Sequence, residues 1–339
     1  MKSIVADKIF IARKRCRLSM DQLVARMGDK AVSKMAISKI ERGLMQPSLS
    51  TLQAIADACM MPIDYFYKEE VNVGQINFRF DPITSAKEAS QIKTCIISAI
   101  QEQIDKLLLE PYTPFENPMS NVTLRNYTDA EKASIKLRKK WEIGLQPIFS
   151  VYELLQNYGI QIIELALENQ NIDGLSTWAN NAIPVMIMNT SKHKTTERKR
   201  FTALHELGHL LFKLKPMTEI QHEAYLSTLS QSDCQTIIKR PTEERLCNYF
   251  AGAMLLPEES LKRRIGTFRT EIDIDELISI RNMYGVSIAS IVHRLHDLRI
   301  IDEKLYNHLF DKVIKKNKME TGWGDFPIKE KAETIRIKI

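Results

Sequence analysis

The stretch Thr202-Ala-Leu-His205-Glu206-Leu-Gly-His209-Leu-Leu-Phe212 constrains this chain more than any other. Two imidazoles four residues apart on a helix leave one face about one turn apart, the reach of two ligands on one tetrahedral ion. Glu206 projects beside them, where a carboxylate can take a proton from water. Phe201, Leu204, Leu207 and Leu211 make the helix largely buried, and a buried His, Glu and His are costly unless something coordinates or pairs with them. The plain alternative is two satisfied core histidines.

A third ligand has to come from a second helix, and Thr242 to Pro257 offers one. Glu244, Cys247, Asn248 and Ala251 fall at i, i+3, i+4 and i+7. One face therefore carries a carboxylate, small residues for close helix approach, and an amide placed to orient a ligand. Glu243 points roughly 100 degrees away. Glu244 is accordingly the expected ligand, with Glu243 and the thiol of Cys247 as lesser candidates, and the donor set calls for Zn2+. His222 falls in what reads as a long loop between the two ligand helices and could equally be plain surface.

At 339 residues, with 44% hydrophobic and 27% charged positions, the chain reads as two or three folded domains. No segment approaches about eighteen consecutive apolar residues, and the start carries its charges inside the apolar stretch, so neither a membrane span nor a signal peptide is expected. The expected location is cytoplasmic. Five scattered cysteines without a C-x-x-C pair argue against a disulfide framework. Charge is concentrated at one end. Residues 1 to 45 hold eleven Lys or Arg against four acids, a net of +7 in a chain whose total is +6. Such a block is the footprint of phosphate binding, although a solvated basic face has the same look.

Apolar spacing in residues 1 to 68 predicts four short helices, with Pro62 to Tyr67 opening a fifth. Ser19, Ser33 and Ser48 are placed as N-caps, and Gly43 sits where a helix end takes a left-handed residue. The strings LSMDQLVARMG and VSKMAISKIERGLMQPSLSTLQAIADA resemble the repressor-type helix-turn-helix domains of the XRE class. The resemblance implies a recognition helix in the major groove, with Lys34, Met35, Ala36, Ser38 and Lys39 facing bases or phosphates. Met20 stands where that class usually has Gln, and Asp29-Lys30-Ala31 lengthens the turn before the third helix.

Residues 69 to 127 read as a linker: a short strand or extended segment over Val71 to Phe80, then a long helix from Thr84 to Leu109. Its stripe Ile92, Ile96, Ile100, Ile104 suits a core or a dimer seam. Beyond a Pro-containing loop, Thr128 to Glu131 reads as a capping box opening a helix to about Trp141. From residue 128 to 313 the blocks Leu137 to Trp141, Asp173-Gly-Leu-Ser176, Met186 to Asn189, HELGH and Glu244 to Pro257 resemble the ImmA/IrrE-type metallopeptidases. Cys247 stands where that family usually shows Ala. Residues 314 to 339 form a tail, with Trp323 to Pro327 of no assigned role.

The resemblance implies a gluzincin-like core with a small sheet on the metal helix, so the whole is expected to be mainly α with a small β-sheet (α+β). The expected protein is a DNA-binding regulator whose zinc endopeptidase domain cleaves a protein: a partner repressor, a toxin, or itself. His205, His209 and Glu244 would bind the metal, Glu206 would be catalytic, Asn248 would orient a ligand, and His293 or Arg294 would stabilise the oxyanion. The partners expected are a double-stranded DNA operator, a protein substrate or cognate repressor or toxin, and a second copy in a homodimer. The rival reading is a repressor or antitoxin whose zinc domain senses a ligand or grips a partner without turnover.

Overall fold

The computed structural model describes residues 4–67, 71–74, 86–107, 114–167, 172–191, 195–227, 240–317, 320, 322–323 and 330–332. Most of the chain is helical, with two small sheets. The N-terminal region holds α1 (Ile4–Arg15), α2 (Met20–Arg26), α3 (Lys34–Glu41) and α4 (Leu49–Ala58). The expected fifth helix is instead one 3-10 turn, Ile63–Phe66, which drives Tyr65 and Phe66 into the core edge to face. Pro62 has no N–H to give, and four residues suffice to bury both rings.

Local chemistry fixes these helix ends. The hydroxyls of Ser19, Ser33 and Ser48 accept from the N–H groups of Gln22, Ala36 and Thr51. Gly43, at φ +72°, lets Leu44 N–H reach Lys39 O and its own N–H reach Ile40 O, a Schellman closure of α3. The turn around Asp29 is a short 3-10 segment, Gly28–Lys30. Glu41, in the IERG string, is buried and paired with Arg13 of α1 through two bonds of 2.5 and 2.7 Å. The motif glutamate thus ties α1 to α3.

The long helix α5 (Ala86–Leu107) lays Ile96, Ile100 and Ile104 on one face of a three-stranded sheet, so the stripe is core. That sheet runs β2 (Gln161–Leu165), β4 (Ile183–Asn189), β3 (Gly174–Ala179), with β2 parallel and β3 antiparallel to β4. Residues 180–182 join β3 to β4; Asn180 and Asn181, both at positive φ, are the central residues of a turn closed by Ala182 N–H to Ala179 O. Of the extended segment expected over Val71 to Phe80, residues 75–80 lie outside those described. Val73 pairs antiparallel with Ala179.

The opposite face of the sheet carries the main core. It is built by α6 (Tyr127–Lys140), α7 (Val151–Asn157), α8 (Thr196–Leu211), α10 (Glu243–Leu255), α11 (Glu258–Ile265), α12 (Ile274–Tyr284), α13 (Ile288–Asp297) and α14 (Glu303–Leu309), with α9 (Glu219–Ser227) lying between α8 and α10 in the chain. A two-stranded parallel pair, β1 (Thr123–Leu124) with β5 (Lys213–Leu214), continues from the end of α8. The break at Gly285-Val-Ser287 separates α12 from α13, as its residues predict. The capping box expected at Thr128 is replaced by Asn126, which accepts from Asp129 N–H. Trp323 packs at the margin of the core, and the remainder of its motif, 324–327, lies outside the described residues.

Candidate metal centre

The helices α8 and α10 cross in close contact, and one glycine allows it. A Cβ on Gly208 would lie 3.0 Å from Cys247 Sγ and 3.2 Å from its Cβ. With only hydrogen at 208, a small side chain at 247 fills the seam and brings the polar edges of both helices together. Cys247 is fully buried, and burial pushes its thiol far above its ordinary pKa. It packs as a small apolar residue and takes no place among the donors.

Among the described residues, the group that could hold a metal ion is His205, His209 and Glu244. The two Nε2 atoms stand 3.2 Å apart, and each is 3.3 Å from a different oxygen of Glu244. For bonds of about 2.0–2.1 Å, the edges of a tetrahedron are about 3.3 Å, so the spacing fits one ion. The tautomer fits as well. His205 Nδ1 lies 2.8 Å from Asn248 Oδ1, and an amide oxygen can only accept, so the proton sits on Nδ1 and the Nε2 lone pair faces the other donors. Burial opposes protonation of His205, but the bond to Glu244 and the charges of Glu206 and Glu244 carry its pKa above the ordinary value. When the rings are protonated, hydrogen bonds from both imidazoles, His205 foremost, hold the Glu244 carboxyl well below the usual range. The first shift reports the negative charge of Glu206 and Glu244 around the ring, which favours a cation, and the second keeps Glu244 ionised. Glu243 faces the same cleft from the adjacent position, outside the donor group.

Glu206, 8% exposed, accepts a 2.7 Å hydrogen bond from Ser176 Oγ on β3. Sequence reasoning gave Ser176 no role beyond its place in the Asp173-Gly-Leu-Ser176 block. Both residues line a cleft of about 1770 Å³ that runs along β3 and past the three donors.

Across the cleft, His293 is exposed and its Nδ1 lies 3.1 Å from Tyr306 Oη. Arg294 is 2% exposed; its Nη2 donates to both oxygens of Glu131, at 2.8 and 2.7 Å, and its Nε to Leu256 O. The two candidates for oxyanion contact therefore differ: His293 stands in the cleft wall, and Arg294 is held inside it. His222 is neither surface nor loop. It lies on α9, 7% exposed, with no hydrogen-bond partner on either ring nitrogen among the described residues.

On α3, Lys34, Met35 and Lys39 are exposed, Ala36 and Ser38 half-buried, while Ile37 and Ile40 face the core. Lys34 makes an exposed 2.6 Å ion pair with Asp21 of α2. The charged face of α3 is thus turned outward. No helix among the described residues is long and apolar enough to cross a membrane.

Comparison with known proteins matches both regions. Residues 9–66 match the helix-turn-helix family model and residues 155–296 the model of the IrrE N-terminal-like domain. Two proteins of Mycobacterium tuberculosis, from strains CDC 1551 and H37Rv, are each described as an uncharacterized HTH-type transcriptional regulator. Each is 34% identical over 105 residues, 30% of this chain. The matched stretch spans 65% of those relatives' length. The chain joins an XRE-type helix-turn-helix domain to an IrrE-like domain of the peptidase M78 family.

Proposed function

We propose that this chain is a DNA-binding transcription regulator whose IrrE-like domain is a zinc-dependent endopeptidase, cleaving a partner repressor, a toxin or its own chain. One observation carries the reading: three donors from α8 and α10 at tetrahedral spacing, with the Glu206 carboxylate on the intervening turn. The chemistry a zinc ion supplies when bound is to lower the pKa of a coordinated water to about 7 and to polarise a carbonyl oxygen.

The residues do the remainder. Asn248 fixes the ring of His205 so that Nε2 stays a donor. Glu206 takes a proton from water as general base and returns it to the leaving amine. Ser176 holds one oxygen of that carboxylate and leaves the other to work. His293, which lines the same cleft, would meet the developing oxyanion. At the other end, Lys34 and Lys39 contact operator phosphates while Met35, Ala36 and Ser38 face bases. Operators read this way come as paired half-sites, which suits a homodimer in the cytoplasm.

The test is Glu206→Gln. Zinc content and operator binding should match the wild type, while cleavage of the protein encoded beside this gene falls roughly 10²- to 10⁴-fold. If the variant complements a deletion fully, turnover is not the function, and the zinc domain acts as a sensor or grip.

A further inference from the structure

Residues Val71–Gly74 belong to the connection between the helix-turn-helix region and α5, yet they are seated on the sheet beside the metal centre. Asn180 N–H donates to Asn72 O at 2.6 Å, Gly74 N–H donates to Trp178 O at 2.8 Å, and Asn72 N–H reaches Asn180 Oδ1 at 2.9 Å. Val73 and Ala179 face each other between those bonds as an antiparallel pair. The approach is tight: a Cβ on Gly74 would meet Trp178 O at 3.2 Å. The connection thus adds a strand to β3 on the side away from β4.

This is the edge a peptide would need. An extended chain gains affinity by adding to a sheet edge, main chain to main chain. The edge that borders the cleft is β3, from Gly174 to Trp178, and Gly74 lines the same cleft with His205 and Glu206. The described part of the connection runs antiparallel to β3 and reaches, at Gly74, the position opposite Trp178, two residues from Ser176, which is bonded to Glu206. Resting on the peptidase reading above, we propose that Val71–Gly74 is a built-in competitor for extended peptide at the β3 edge, and that a substrate binds there by displacing it.

The segment is also tethered. Val71 N–H donates to Gln101 Oε1 of α5 at 2.7 Å, and Val71 and Val73 pack against the core cluster that holds Ile96, Ile100 and Ile104 of that helix. The same helix receives α1. One helix therefore touches both the helix-turn-helix region and the connection seated at the β3 edge.

A redox lock tests the competition. The Val73 and Ala179 positions form a non-hydrogen-bonded antiparallel pair, where Cα atoms are about 4.5 Å apart, within the span of a disulfide. Val73→Cys with Ala179→Cys is made in the full, zinc-loaded chain carrying Glu206→Gln, with Val73→Cys alone as control. Binding of fluorescein-labelled β-casein is read by anisotropy. The oxidised form should bind at least tenfold more weakly than the reduced form, and Gly74→Pro, which removes the donor to Trp178 O, should bind more tightly than its parent. Equal affinity in both redox states overturns the proposal, as does absence of binding by every form. Redox-dependent binding, with no cleavage by the same constructions restored to Glu206, leaves the competition standing and removes the peptidase reading instead.

Discussion

The helix-turn-helix region and the region around α8 are held by polar contacts of opposite reach. In the first, serine caps act across three residues, and the buried pair Arg13–Glu41 spans 28 positions. In the second, buried arginines reach across the chain: Arg138 to Met254 O, Arg281 to Glu197, Arg200 to Glu330 and Arg294 to Glu131, over 84 to 163 positions. Each of these four guanidiniums is at most 5% exposed. A bundle of short helices can be held by neighbours in sequence. The metal centre, assembled from β3, α8 and α10, is held by charges that meet only when the whole domain has closed.

The sharpest way to break this contrast is Arg200→Ala. Arg200, fully buried on the metal helix, donates to Glu330, Ile148 O, Phe149 O and Tyr284 O. Removing it leaves Glu330 charged and buried, and urea unfolding should show a loss of about 3–5 kcal/mol. Next, Gly208→Ala should cost about 1–3 kcal/mol by overpacking against Cys247. Zinc retention during dialysis should fall with it, since the crossing sets the donor spacing; wild-type zinc content in a folded Gly208→Ala protein would show that the crossing is not what sets it. Ser33→Ala, which removes a cap local to α3, should cost only about 1 kcal/mol and leave zinc binding unchanged. Smallest of all, Lys34→Ala should alter stability by less than about 0.5 kcal/mol, because its pair with Asp21 is exposed. The slope of log affinity for operator DNA against log salt should still decrease by about 1.

The same contrast explains what could be read before the structure. Ser19, Ser33, Ser48 and Gly43 announce themselves because cap and partner lie within a few residues. The spacing of His205 and His209 is legible because one helix carries both, and Glu244 because its neighbours at i+3, i+4 and i+7 declare a shared face. Where two local signals compete, pattern misleads. Thr128 to Glu131 has the letters of a capping box, but Asn126 makes the cap and Glu131 is taken by Arg294, 163 residues away. Ser176 left no signal of its role, because contact with Glu206 depends on how β3 lies over α8, which no run of residues on either element specifies. His222 read as loop for a similar reason: burial of a short helix is decided by what packs on it.

Glu330 does more than neutralise Arg200. Its two oxygens also receive the N–H groups of Val151 and Tyr152 and the hydroxyl of Ser150 at the start of α7. One carboxylate from beyond the last helix thus receives the donors of residues 150–152 and the guanidinium carried by the helix of His205 and His209, and Glu330→Gln would weaken the start of α7 and that helix together.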